Sequence, residues 1–258
     1  MSGLSNYHTH TSYCDGKDSP EELVLEAIRL GCPELGFSGH SYADFDDCCM
    51  TREGTEAYIR EIHALQEVYR DRIRIRLGIE QDFYSPMSTE PYEYAIGSVH
   101  YLLVGGKYYA VDESRESQMA LVRDGYGGDY YAFAEDYFET VSQVYEKTGC
   151  GIVGHFDLLT KFNEGDCLFD TGHPRYRRAA LSALSRLCRA PVAFEINTGA
   201  MARGYRTAPY PAPFLLEAIQ DSGAPLILSS DCHDKRYLLY GLETFGSIPH
   251  VAPTLDRI

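Results

Sequence analysis

Seven short apolar runs rich in β-branched residues recur along the chain, each followed by a longer amphipathic or polar stretch: Leu4–His8, Leu35–His40, Ile73–Gln81, Tyr94–Leu102, Gly151–Phe156, Val192–Asn197 and Pro225–Asp231. Short strand-like runs alternating with helix-like segments are the pattern of strands joined by crossover helices in a largely parallel sheet. With 258 residues the chain also has the size at which α/β barrels form as one domain, so a single domain over 1–258 is expected.

The intervening segments carry helix punctuation. In "DSPEELVLEAIRLGC", Ser19 suits an N-cap, Pro20 the first turn and Gly31 the end, while Leu23, Ala27 and Leu30 share a face. The same signals place helices over Gly54–Arg70, Tyr130–Lys147, Arg175–Arg189 and Ala212–Ser222. Between Gly105 and Asp129 the periodicity is weak, so this stretch reads as an insertion or lid outside the barrel.

The metal-type side chains fall in a non-random place. His8, His10, His40, His100, His155 and His233 lie at or just beyond the C-terminal ends of the expected strands, and Glu80 in "LGIEQD" and Asp231 in "LSSDCH" occupy equivalent positions. In a parallel barrel those ends converge on one face, where chemistry is carried. A lone His40 or His155 is more often a hydrogen-bonded core histidine than a ligand. Glu80 is more pointed, because a buried carboxylate ending an apolar strand must be paired, protonated or metal-bound. Asp231 and His233 repeat the one-residue spacing of His8 and His10. Together the strand ends point to a metal centre. Cys14 and Cys232 neighbour proposed ligands but read as packing residues, since adjacent side chains on a strand face opposite ways.

Composition removes other classes. The formal charge of −15, from 38 acidic and 23 basic residues, opposes the counterion release that drives general nucleic-acid binding. No run approaches the roughly 18 apolar residues of a membrane span, and no basic-then-apolar leader opens the chain. Eight scattered cysteines, two of them adjacent, read as reduced thiols of a cytoplasmic protein.

In this order, "YHTHTSYCDG", "GFSGHS", "GIEQDF", "IGSVHYL", "GIVGHFD", "FEINTGA" and "SSDCH" resemble the polymerase-and-histidinol-phosphatase (PHP) superfamily of metal-dependent phosphoesterases, most nearly its stand-alone histidinol-phosphate phosphatase branch. The resemblance implies a distorted (β/α)7 TIM-like barrel holding three divalent ions of zinc, iron or manganese. It implies His8, His10, Glu80 and Asp231 around a first ion, Glu80, His100 and His155 around a second, and Asp15, His40 and His233 around a third. Glu80, Asp231 and His233 would shape the place of the attacking water. Many relatives carry an acidic residue where this chain has Gly39; Asp44 or Asp46 is a possible substitute.

Imidazoles with carboxylates suit these transition ions better than magnesium. Such ions supply an ionised water at neutral pH and local positive charge for a small anionic phosphomonoester. Lys161 in "LLTKF" and Arg203 in "NTGAMARG" follow strands on the same face and are candidate phosphate or substrate ligands, or else solvated surface cations. Another PHP phosphoesterase acting on a different small phosphomonoester or short oligonucleotide is the alternative, and a non-catalytic metal-binding module a third reading.

Overall fold

The structure is a computed structural model describing residues 3–250, so the expected single domain over 1–258 extends beyond the described residues at both ends. In chain order the elements are α1 (Pro20–Leu30), β1 (Glu34–Phe37), α2 (Arg52–Tyr69), β2 (Arg74–Asp82), β3 (Tyr94–Ser98), β4 (Tyr101–Val104), β5 (Lys107–Ala110), α3 (Arg115–Tyr126), α4 (Tyr130–Val141), α5 (Val144–Thr148), β6 (Ile152–Val153), α6 (Pro174–Leu187), β7 (Ala193–Asn197), α7 (Gly199–Ala202), α8 (Pro213–Ser222), β8 (Leu226–Ser229) and α9 (Leu242–Phe245). Six strands form one parallel sheet in the order β1-β2-β3-β6-β7-β8.

The run expected as the first strand forms bridges on both sides instead of a regular strand. Asn6 pairs with Leu35 beside β1, and Thr9 pairs with Cys232 just beyond β8. Gly36 N–H donates to Asn6 O at 2.8 Å and His10 N–H to Cys232 O at 2.8 Å, which joins the two edges of the curled sheet. A segment that must bond left at one residue and right three residues later has no regular ladder on either side. The barrel expectation therefore stands as six strands plus this bridging segment.

Strand alternation divides the core in two. Ile75, Leu77, Ile79, Ala95, Val153, Phe194, Leu226 and Leu228 face outward into the main core beneath the helices. Tyr7, Tyr94, Ile96, Ile152, Ala193 and Ile227 form a separate cluster inside the barrel. Tyr94 fills the space that Gly36 and Gly78 leave open, where a Cβ would come within 2.4 Å of its hydroxyl at Gly36 and 2.3 Å of its ring at Gly78. Its hydroxyl donates to Tyr7 O at 2.7 Å, so the phenol is buried without an unmet polar group.

The helical expectations hold with local changes. Ser19 and Glu22 form a reciprocal capping box at α1, and Gly31 ends it at φ 75°. The 130–147 segment breaks into α4 and α5, where Ser142 Oγ and Gln143 Nε2 both donate to Glu139 O and compete with the helical ladder. The 94–102 run also divides: β3 stays in the barrel, while Tyr101 pairs with Ala110 in the antiparallel β4–β5 hairpin. Gly105 and Gly106, at φ 59° and 82°, make its two-residue turn. The 105–129 stretch is thus outside the barrel as expected, but it is built from β5 and α3, not a bare loop. Buried Gln118 of α3 anchors it by donating to Val111 O and Leu159 O, both at 2.9 Å.

Candidate metal centre and substrate cleft

The strand ends bring the candidate residues together. Glu80, on the inward face of β2, is 1% exposed and lies at the centre. Its Oε2 is 3.2 Å from His8 Nε2, 3.4 Å from His10 Nε2 and 3.0 Å from His40 Nδ1. Its Oε1 is 2.8 Å from His155 Nε2 and 3.3 Å from His100 Nε2, and accepts from Ser98 Oγ at 2.6 Å. The two oxygens of one carboxylate thus face two different sets of imidazoles.

Asp231 closes the first set, with Oδ1 3.6 Å from His8 Nε2 and 3.3 Å from His10 Nε2. Its backbone is left-handed at φ 48°, a conformation that costs a non-glycine residue about 1 to 3 kcal/mol and persists where surroundings enforce it. Gly199 makes the space, because a Cβ there would stand 2.6 Å from Asp231 Oδ2. Asp15 forms the third corner, 3.6 Å from His40 Nε2, 3.2 Å from His233 Nε2 and 3.7 Å from His10 Nδ1. It is folded back by a tight turn in which Gly16 N–H donates to Thr11 O and a Cβ on Gly16 would meet His10 backbone at 2.5 Å.

Electrostatics bind the cluster together. Burial opposes charge on His8, but Glu195, Glu80 and Asp231 outweigh it and raise its pKa well above the ordinary value. Burial works against ionised Glu80 too, and is overcome by the charges of His8, His100 and His40. His10 is pushed down to about 3 by burial and by the imidazoles of His233 and His40, which keeps it in the neutral form that ligates metal. Buried His8 Nε2, His10 Nε2 and Glu80 Oε2 have no hydrogen-bond partner among the described residues. Such atoms are costly unless something fills the space between them. Their ligand atoms lie within 4.8 Å of one another in overlapping groups: His8, His10 and Glu80; His40, Glu80 and His100; His8, His155 and Asp231; His10, Asp15, His40 and His233. This nitrogen-and-carboxylate donor set fits divalent transition ions.

Several partners were not singled out from the sequence. Glu195, inward on β7, faces His8 Nδ1 at 2.6 Å and accepts from His155 N–H at 2.8 Å, from Asn197 Nδ2 at 2.8 Å and from Ser229 Oγ. It fixes the His8 ring so that Nε2 points to the centre, as carboxylate partners of ligating imidazoles do. Its signal was present in "FEIN", a carboxylate in an apolar strand, the same signal that marks Glu80. Asp82 plays a comparable part for His100, 3.4 Å from its Nδ1 and accepting its N–H at 3.0 Å.

Two expectations need correction. Asp44 is exposed, and Asp46 accepts from Cys48 N–H at 2.8 Å, while His40 is faced by Asp15 and Glu80; neither residue replaces a carboxylate at Gly39. A side chain at Gly39 would instead meet Cys14 Sγ and Met50 Cε at 3.4 Å. Cys232 points away, with Sγ donating to Asp234 O, but Cys14 sits in a turn where strand alternation does not apply, and its Sγ is 3.6 Å from His10 Nδ1. Burial lifts both thiols to about 12, so they stay protonated.

Above the centre opens a cleft of about 440 Å³, lined by Asp15, His40, Glu80, His100, His155, Asp231 and His233 on its floor and by both candidate cations, Lys161 and Arg203. Arg203 donates to Asp231 Oδ2 at 3.0 Å and lies 3.0 Å from His233 Nδ1. Lys161 donates to Asp112 O and Oδ2 at 2.7 and 2.9 Å. Neither is a freely solvated surface cation.

A model of the PHP domain matches residues 6–199. A protein of Deinococcus radiodurans named as a probable histidinol-phosphatase is 31% identical over 249 residues, covering 90% of this chain and 87% of the relative. The histidinol-phosphatase of Bacillus subtilis is 26% identical over 92% of this chain and 96% of its own. The fold matches a candidate histidinol phosphatase of Listeria monocytogenes at TM-score 0.82 and 21% identity, over 94% of this chain and all of that one. It also matches the histidinol phosphate phosphatase of Lactococcus lactis, solved with zinc, L-histidinol and phosphate, at TM-score 0.67 and 21% identity, over 90% and 86% of the two chains.

Proposed function

The chain belongs to the PHP family, and on that premise we propose that it is a metal-dependent phosphatase that hydrolyses L-histidinol phosphate to L-histidinol and phosphate in histidine biosynthesis. The observation that carries the chemistry is the convergence, at the floor of one cleft, of buried nitrogen and carboxylate atoms that have no hydrogen-bond partner among the described residues. The names of relatives that match over most of their length support the substrate. Eight unpaired cysteines accord with a reducing cytoplasmic setting, and among the described residues no helix is long and apolar enough to cross a membrane.

Three divalent ions are the proposed complement. His8, His10, Glu80 and Asp231 would hold the first, Glu80, His100 and His155 the second, and Asp15, His40 and His233 the third. Bound there, zinc, iron or manganese would supply an ionised water at neutral pH and positive charge for a phosphoryl group. The remaining steps belong to the chain. Glu80 divides its two oxygens between imidazole sets and so fixes their spacing. Glu195 and Asp82 orient His8 and His100. Arg203, steadied by Asp231, reaches into the cleft with donors that match phosphate oxygens, and Lys161 offers a second cation held by Asp112.

His10→Ala tests this reading. The variant should keep its circular dichroism spectrum and lose metal-dependent release of phosphate from L-histidinol phosphate. Wild-type turnover in that variant would reject the metal assignment. A parallel panel of sugar phosphates, phosphotyrosine and dinucleotides tests the substrate; fast cleavage of one of these beside negligible turnover of histidinol phosphate would reject it.

A further inference from the structure

The imidazoles of the centre differ in what stands behind them. Glu195 faces His8 Nδ1 at 2.6 Å and Asp82 faces His100 Nδ1 at 3.4 Å, so both of these rings are backed by carboxylates. His10 is 1% exposed, and the group at its Nδ1 is the thiol of Cys14, with Sγ 3.6 Å away. Sulfur is larger than oxygen, so this is a hydrogen-bonding distance, whereas Asp15 Oδ1 at 3.7 Å from the same nitrogen lies beyond one. Asp15 is turned instead toward His40 and His233, at 3.6 and 3.2 Å. The thiol is seated for its contact. A turn closed by Cys14 N–H on Thr11 O at 3.0 Å folds it back toward His10, and its S–H donates to Thr11 O at 3.4 Å. Gly39 leaves it room, since a Cβ there would already touch Sγ at 3.4 Å.

We propose that Cys14 is a positioning residue for His10: its sulfur accepts the Nδ1 proton and thereby aims Nε2 at the metal centre. The role rests on the metal-dependent reading above and adds to it the partner of one ligand. His10 Nε2 is buried without a hydrogen-bond partner among the described residues and faces Glu80 Oε2 and Asp231 Oδ1 at 3.4 and 3.3 Å. When that nitrogen ligates an ion, the neutral ring carries its proton on Nδ1, and a buried N–H must be accepted by something. Ring packing does not make this choice. His10 stacks on His233 with centroids 4.0 Å apart and planes at 23°, and meets His40 at 4.3 Å. Both contacts tolerate a half-turn of the ring about its Cβ–Cγ bond, which exchanges Nδ1 with a carbon. The sulfur does not, because a ring C–H is a far poorer donor than N–H. The thiol also orients without adding negative charge to a cluster that already holds Asp15, Glu80 and Asp231.

The test compares Cys14→Ser, which keeps an acceptor and loses volume, with Cys14→Val, which keeps volume and loses the acceptor. Zinc affinity is measured by competition with a chelator. Cys14→Val should bind zinc about 10- to 100-fold more weakly than wild type, while Cys14→Ser stays within about threefold. Cys14→Ala, which cannot clash with Gly39 or Met50, should follow Cys14→Val. Unchanged affinity in Cys14→Val, or an equal loss in Cys14→Ser, would overturn the role and leave Cys14 a packing residue. Nitrogen-15 spectra of the zinc-loaded protein give a second readout: one slowly exchanging imidazole N–H should persist in Cys14→Ser and vanish in Cys14→Val, and its survival in Cys14→Val would likewise overturn the role. Failure of the wild type to bind zinc would overturn the metal reading and this role together, whereas the other adverse outcomes reject the role alone.

Discussion

Arg76 and Glu80 lie four residues apart on β2, and both are buried charges. Arg76 donates to Glu34 at 2.6 Å and to Glu93 at 2.8 Å, the latter carboxylate also accepting from Gln66 and Leu77 N–H. Glu80 is surrounded by imidazoles and retains an oxygen with no hydrogen-bond partner among the described residues. The end of the barrel where the strands begin satisfies its charges internally, whereas the end where they finish leaves them to be satisfied by something bound. One strand thus separates the stabilising face from the chemical face, as parallel barrels do.

Glu80→Gln should break this contrast most. It preserves size but removes the charge that both imidazole sets share, so kcat/KM should fall on the order of a thousandfold. Bound metal, measured by elemental analysis, should fall with it; a full metal complement would show that Glu80 does not organise the centre. Arg76→Met is the converse. Removing this buried cation from between Glu93 and Glu34, of which Glu34 keeps Arg74 Nε at 3.9 Å, should cost about 3 kcal/mol of stability in urea unfolding. Activity of the folded fraction should remain within about twofold of wild type, and a larger loss there would mean the two ends are coupled.

Smaller effects sharpen the same comparison. Glu195→Gln keeps a hydrogen-bonding group beside His8 but removes its charge, and should weaken metal affinity by roughly 10- to 100-fold in competition with a chelator. Unaltered affinity would make Glu195 a packing residue of the barrel interior.

The periodicity that identified the barrel also identified the face on which its ligands meet. All six histidines placed at strand ends from the sequence lie in the cluster, with Asp15, Glu80 and Asp231. The bridging segment of residues 6–10 was legible as extended chain but not as the link between two sheet edges, because strand pairing is a long-range choice. The β4–β5 hairpin was hidden because "GGKYY" is too short for a periodic signal and its strands face partners outside the barrel. Lys161 and Arg203 were legible as cations near the site. Their pairing with Asp112 and Asp231 depends on segments 49 and 28 residues away in sequence.

By itself the sequence determined where the chemistry-bearing side chains lie along each strand, since apolar alternation and strand length are local properties of the chain. The tertiary structure alone decided which oxygen of Glu80 meets which imidazole, which carboxylate turns His8, and which acids hold Lys161 and Arg203. Those outcomes depend on hydrogen-bond directions and separations of a few ångströms between residues far apart in sequence, and only closure of the sheet sets them.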